Sequence, residues 1–289
     1  MNINYRMIGD FSVVFSEIIL SLYPILIKIV PTNFDTQLLS RFGVFTLAPL
    51  LFYSSQQFNI IKLFLYGAIT LFHVVVSYAA FSSLSAGTAM ALFYTYPIMN
   101  VIAGVLFLNE SVSTSAILFL TLGFIGTIIL SQEIPTEEVK GEKPIDIPRN
   151  FAIAAGLLAA FSETLMFLVV RETKSKNPID SMLQLYPGAF ILFSLYLFLT
   201  KRIETIDTNK RVWRDLTLFN LFVGFIGYSI RFYSINTVST ITFSLLSFAG
   251  VLSSYFFGRT FINEKASNKT YLGAALIAAS ASGISFLQN

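Results

Sequence analysis

At 289 residues, with 55% hydrophobic and 12% charged side chains, 30 Phe and a mean hydropathy of +0.71, the chain is too apolar and too poor in charge for an ordinary soluble domain. A net charge of +3 with no basic block gives no reason to invoke nucleic acid. The absence of cysteine removes disulfides, thiolate metal sites and a cysteine nucleophile, and a single histidine, His73, argues against histidine-rich metal chemistry, so neither a metal nor a cofactor is expected.

A bilayer core of about 30 Å needs roughly 20 apolar residues in a helix. Ten such runs follow one another near 11–30, 37–54, 60–82, 86–108, 114–131, 151–171, 181–200, 214–236, 238–261 and 270–287. The reading is therefore an all-α polytopic membrane protein, multi-pass and integral to the bilayer. The N-terminal residues run into the first apolar segment without a small-residue cleavage pattern, which reads as a first helix rather than a removed signal peptide. Residues 132–150 carry three prolines and mixed charges and read as a solvated linker. It separates a first five-helix repeat, 1–131, from a second, 151–289, and an odd helix number per half makes the repeats inverted.

The chain repeats itself. Ser85, Thr88, Leu92, Gly104, Phe107, Asn109, Glu110 and Ser113 recur at one constant shift as Ser239, Thr242, Leu246, Gly258, Phe261, Asn263, Glu264 and Ser267. Phe15-Ser16-Glu17 in segment one likewise matches Phe161-Ser162-Glu163 in segment six. Small residues at four-residue spacing, in Ala152-Gly156-Ala160 and Ala275-Ala279-Gly283, read as helix-packing signals.

With ten segments, two halves, and the pattern Ala91-Leu92-Phe93-Tyr94-Thr95-Tyr96-Pro97 followed by Leu106-Phe107-Leu108-Asn109-Glu110, the chain resembles the drug/metabolite transporter superfamily, specifically its EamA-like branch. The resemblance covers nearly the whole chain. It departs from the family pattern at Asn109 and Asn263, where glycine is common, and at Val251, where the second half lacks a repeat of Pro97. The resemblance implies a secondary carrier that moves a small metabolite by alternating access, with a central cavity between segments one, three, four, six, eight and nine. It also implies cytoplasmic termini, whereas the positive-inside count runs the other way, with five basic residues on the terminal side and eleven opposite.

Ionisable groups inside a span are costly and need a partner, a cavity or a nearby interface. Glu17 and Glu163 hold equivalent places in the two halves and are read either as coupling or substrate groups or as structural partners of Arg41 or Lys28. Arg231 follows Tyr228 deep in segment eight and has no counterpart in the other half, which suggests recognition of a substrate carboxylate or phosphate, or neutralisation of Glu17 or Glu163. Arg41 reads as an interfacial or pairing residue. His73 and Tyr78 in segment three, and Tyr94, Tyr96 and Asn100 around the Pro97 break in segment four, complete the candidate cavity set; Ser244, Ser247 and Ser254 are weaker candidates. Glu110 and Glu264 read as structural marks of the repeat.

The substrate classes left open are amino acids, nucleotide-related compounds and organic anions. The remaining expected partners are the lipid bilayer and, as a candidate coupling ion, protons. Fused halves make a monomer sufficient, with a homodimer also open. No Walker loop points to ATP coupling, and one His with no Cys leaves no acid or nucleophile cluster for a lipid-modifying enzyme. The rival reading is a non-transporting membrane interaction protein that keeps the fold, which an apolar-filled cavity would favour.

Overall fold

A bilayer offers backbone groups no water, so a chain this apolar satisfies them internally as helices. In the computed structural model, which describes residues 3–52, 59–131, 145, 147–175, 177–263 and 267–283, every span is helical. Segment one comprises α1 (Ile3–Leu20) and α2 (Tyr23–Ile29), segment two α3 (Phe34–Leu50) and segment three α4 (Ile60–Ser83). Segment four is α5 (Ala86–Phe93) and α6 (Tyr96–Leu108), and segment five is α7 (Thr114–Ser131). In the second half, segment six is α8 (Arg149–Thr173) and segment seven α9 (Pro178–Leu199). Segment eight is α10 (Lys210–Phe219) joined through a π-helical turn (Asn220–Phe225) to α11 (Ile226–Ile235). Segment nine is α12 (Thr240–Ser247) and α13 (Ala249–Ile262), and segment ten is α14 (Asn268–Ser282). Seven of these segments are long and apolar enough to cross a membrane by themselves. Most of the expected linker, and Glu264, lie outside the described residues.

Four of the ten segments are interrupted, and local chemistry explains two of the breaks. Pro24 and Pro97 occupy the first turns of α2 and α6, where a missing N–H costs nothing to the new helix but leaves the carbonyl four residues earlier without its helical donor. Segment nine breaks at Phe248, the repeat equivalent of Tyr94, without any proline. The cause there is tertiary and is described below.

The repeat motif is a pair of matched caps. Ser85 and Ser239 accept from the backbone N–H groups of Thr88 and Thr242 at the starts of α5 and α12. At the far ends of α6 and α13, Asn109 (φ 54°) and Asn263 (φ 55°) take the left-handed conformation and donate their N–H to the carbonyls of Gly104 and Gly258. Asparagine replaces the common glycine because its short polar side chain tolerates that conformation.

The packing shows why the halves are inverted. α5 packs on α13 while α6 packs on α12, so equivalent broken segments of the two halves cross antiparallel. α1 packs on α11, and the equivalent segments with the halves exchanged, α8 and α4, pack on each other. α4 also runs against α9 so closely that a Cβ on Gly188 would lie 2.0 Å from the carbonyl oxygen of Leu63. Close backbone approach of this kind is the usual substitute for a hydrophobic driving force between helices in lipid.

Candidate functional site

Glu17 ends one turn before the break in segment one, and its carboxylate is reached from both halves. Arg231 Nη1 lies 2.6 Å from Glu17 Oε1, and Arg231 Nη2 lies 2.7 Å from Glu163 Oε1. Tyr94 donates to Glu17 Oε2. Tyr96 and Ser247 donate to Oε1 over 3.3 and 3.4 Å. All three charged side chains are at most 1% exposed. One arginine thus bridges a carboxylate of the first half to a carboxylate of the second with short, charge-assisted bonds. Burial of such ions is tolerable only with this degree of pairing.

The breaks make the bridge possible. Tyr94 sits in the gap between α5 and α6, and its hydroxyl presses on Gly250, where a Cβ would come within 1.9 Å of it. Segment nine is broken immediately before that glycine, so the kink without a proline lies where it must make room for a tyrosine of the other half.

His73 extends the bridge from segment three. Its Nδ1 is 3.1 Å from Ser162 Oγ, while the Ser162 hydroxyl donates to carbonyls of its own helix, at Leu158 and Ala159. With that proton committed, Ser162 accepts, and Nδ1 carries the imidazole proton. Nε2 then stands 3.2 Å from Glu163 Oε2, off the line of a hydrogen bond. Glu163 Oε2 is left without a hydrogen-bond partner.

Arg41 is in a different setting and corrects the sequence expectation. It is 1% exposed, well inside α3, and lines the central cavity rather than an interface. Of the expected partners of Glu17 and Glu163, Arg231 holds both carboxylates, and Arg41 and Lys28 do not. The Arg41 guanidinium carbon lies 4.6 Å from the ring centre of Tyr23, 5.1 Å from Tyr228, 5.2 Å from Phe45 and 5.4 Å from Tyr78. Its one bond of good geometry is long, 3.5 Å to Tyr186 Oη; the Tyr78 and Tyr228 hydroxyls stand near the guanidinium without well-aligned bonds, and Nε has no partner. Among the described residues no carboxylate lies within ion-pair distance of it. The π-helical turn supports this box, since a Cβ on Gly224 would lie 2.3 Å from Tyr23 Oη and 2.6 Å from the Phe45 ring. The narrow cavity between box and bridge, about 20 Å³, touches Arg41, His73, Arg231, Tyr94 and Tyr228. That is room for a water molecule, not a metabolite.

Of the nine candidate residues, Glu17, His73, Tyr94, Tyr96, Glu163 and Arg231 meet in the bridge, and Tyr78 and Tyr228 in the box. Asn100 joins neither: it is buried in α6 with both amide atoms unpartnered. Ser247 reaches Glu17, whereas Ser244 Oγ has no partner and Ser254 bonds its own helix. The sequence reading missed Tyr23, Phe45 and Tyr186. Tyr23 and Tyr186 each precede a proline, Pro24 and Pro187, as Tyr96 precedes Pro97, and that repeated Tyr-Pro pair was the available signal.

Both ends of the bundle are tied across the halves. On the side of the termini, Glu110 accepts from Thr240 over 2.7 Å, and Glu172 pairs with Lys62 and Tyr66. At the opposite end Arg202 binds Asp35 over 2.7 Å, which holds the guanidinium above its usual pKa, and Thr32 binds Asp207 over 3.1 Å. Glu110 is therefore a link between halves.

The family model of the EamA-like transporter family matches residues 7–132 and 150–286, one match in each half. A solved crystal structure superposes with a TM-score of 0.69 at 16% identity, covering 99% of this chain and 98% of that one, a likeness of fold. No curated protein matches the chain.

Proposed function

We propose that this chain, which belongs to the EamA-like transporter family, is a secondary carrier that moves a small metabolite across the membrane by alternating access. The observation that carries this reading is the buried Glu17–Arg231–Glu163 bridge, which joins the two inverted halves within the bundle. The moving bodies are residues 1–131 and 151–289, rocking about this point. The cross-half bonds at each end open in turn: Glu110–Thr240 and Glu172–Lys62 on one side, Asp35–Arg202 and Thr32–Asp207 on the other. Two buried arginines and a histidine on the wall of the central cavity support this over a non-transporting protein, whose cavity would be lined by apolar side chains alone.

Protons are the proposed coupling ion. His73 Nε2 lies 3.2 Å from one oxygen of the Glu163 carboxylate and Arg231 binds the other, so a proton taken up or lost at this pair would change the balance of the bridge. Protonation from one side and release to the other would bias which end opens.

The test is flux in proteoliposomes loaded with mixed metabolites, with and without a pH gradient. Wild type is expected to show uptake that the gradient drives, and Glu163→Gln and His73→Gln to uncouple it while exchange persists. Absence of flux for every metabolite pool, with protein shown to be folded, sinks the carrier reading. Flux indifferent to the gradient in wild type sinks the coupling.

A further inference from the structure

The two buried arginines are not equivalent, and the difference identifies a substrate group. Arg231 has its charge and both of its Nη atoms engaged by carboxylates. Arg41, equally buried, meets only neutral phenols, with a 3.5 Å bond to Tyr186 and the Tyr78 and Tyr228 hydroxyls near its guanidinium, and has no carboxylate within ion-pair distance among the described residues; both arginines have rings nearby, an unpartnered Nε and a place on the cavity. Cation–π contacts lower the cost of a buried guanidinium, but they leave its in-plane donors unsatisfied. Those donors form a planar fork that fits a carboxylate.

Charge in the buried interior points the same way. Glu17 and Glu163 are balanced by Arg231 and Arg41, and the proton that the carrier reading couples to transport would add one positive charge. The phenols of Tyr23, Tyr78, Tyr186 and Tyr228 around Arg41 are neutral. An anion bound with that proton leaves the closed interior uncharged, which is the cheapest state for ions held in hydrocarbon. Beyond the fork, the cavity wall is Leu20, Phe81, Met90 and Phe93, a surface for an apolar body rather than for sugar hydroxyls.

We propose that Arg41 is the anion-recognition residue of this carrier, and that the substrate is a small carboxylate with an apolar or aromatic body. When the halves part and widen this cavity beyond the single water it now admits, the carboxylate takes the Arg41 fork and the Tyr78 hydroxyl, while the body lies against Phe81, Met90 and Phe93. This rests on the carrier reading for the site, and Arg231 is left to the bridge.

The experiment measures binding to the purified full-length protein by thermal shift and by competition against radiolabelled benzoate. The probes are benzoate and 3-phenylpropionate, their neutral counterparts benzyl alcohol and 3-phenylpropan-1-ol, and inorganic phosphate. In wild type the carboxylates are expected to bind at least about tenfold tighter than the alcohols, and phosphate to compete poorly. Arg41→Gln should bring that ratio near one, and Arg41→Lys, which keeps charge but loses the fork, should fall between. If Arg41→Gln does not fold, the wild-type ratio and Arg41→Lys still decide the matter. Equal binding of acid and alcohol, an unchanged ratio in Arg41→Gln or Arg41→Lys, or stronger competition by phosphate would each overturn the assignment. Flux of neutral solutes with no acid preference overturns it while leaving the carrier reading intact. Carboxylate binding without any flux does the reverse.

Discussion

Arg231 and Arg41 are both at most 1% exposed, yet one is neutralised by carboxylates and the other is cushioned by rings. The first arrangement binds the halves together and commits both Nη groups to carboxylates. The second leaves the charge facing neutral phenols alone. Burial alone therefore does not identify a recognition residue; what counts is whether the in-plane donors already have acceptors.

The largest effect that separates the two is expected from truncation. Arg231→Leu leaves two carboxylates buried without a counterion and should cost about 3–5 kcal/mol, read as a large loss of apparent Tm in detergent. Arg41→Leu strands no carboxylate and should cost about 1–2 kcal/mol, mainly in ring contacts. Equal destabilisation by both would show that the box is as structural as the bridge.

Within the bridge, Glu17→Gln should destabilise by roughly 2–3 kcal/mol, because Arg231, Tyr94, Tyr96 and Ser247 all donate to that carboxylate. Glu163→Gln, which Arg231 and His73 approach, should cost less. Denaturant or thermal unfolding of the pair orders them, and the reverse order would remove Glu17 as the hub.

Glycines that admit the tyrosines give a finer test. Gly250→Ala forces the Tyr94 hydroxyl away from Glu17 and should cost about 1–3 kcal/mol with loss of coupled flux. Gly224→Ala pushes on Tyr23 and Phe45 and should cost a similar amount while weakening carboxylate binding instead. If the two variants have the same functional phenotype, bridge and box are one site.

The smallest effect is expected at the repeat caps. Asn109→Gly relieves a left-handed non-glycine residue and should stabilise by only a few tenths of a kcal/mol, with flux unchanged. A loss of transport there would move function back to the motif that is most visible in the sequence.

Much of the architecture was legible because it is written in local terms. Apolar run length marked ten segments, Pro97 marked the break beside Tyr94, and the shared shift of Ser85 and Asn109 onto Ser239 and Asn263 marked the inverted halves. Each signal concerns residues within a few turns of one another. Glu17 and Glu163 were recognisable as a pair by their equivalent places, since an ion in hydrocarbon needs a reason to be there.

What surrounds those ions was not legible. Arg41 lies near the start of an apolar run, where an arginine ordinarily reaches for the interface, and only the packing of α3 on α9 and on the π-helical turn places it at the cavity. The break at Phe248 has no local cause, and its reason is a tyrosine 154 residues earlier, facing Gly250 from the other half. The sequence by itself determined the helices, their caps and the duplication, because periodicity, turn chemistry and composition act along the chain. Which arginine is spent and which is free was decided by the tertiary structure, because charge pairing depends on distances between helices that no spacing along the chain encodes.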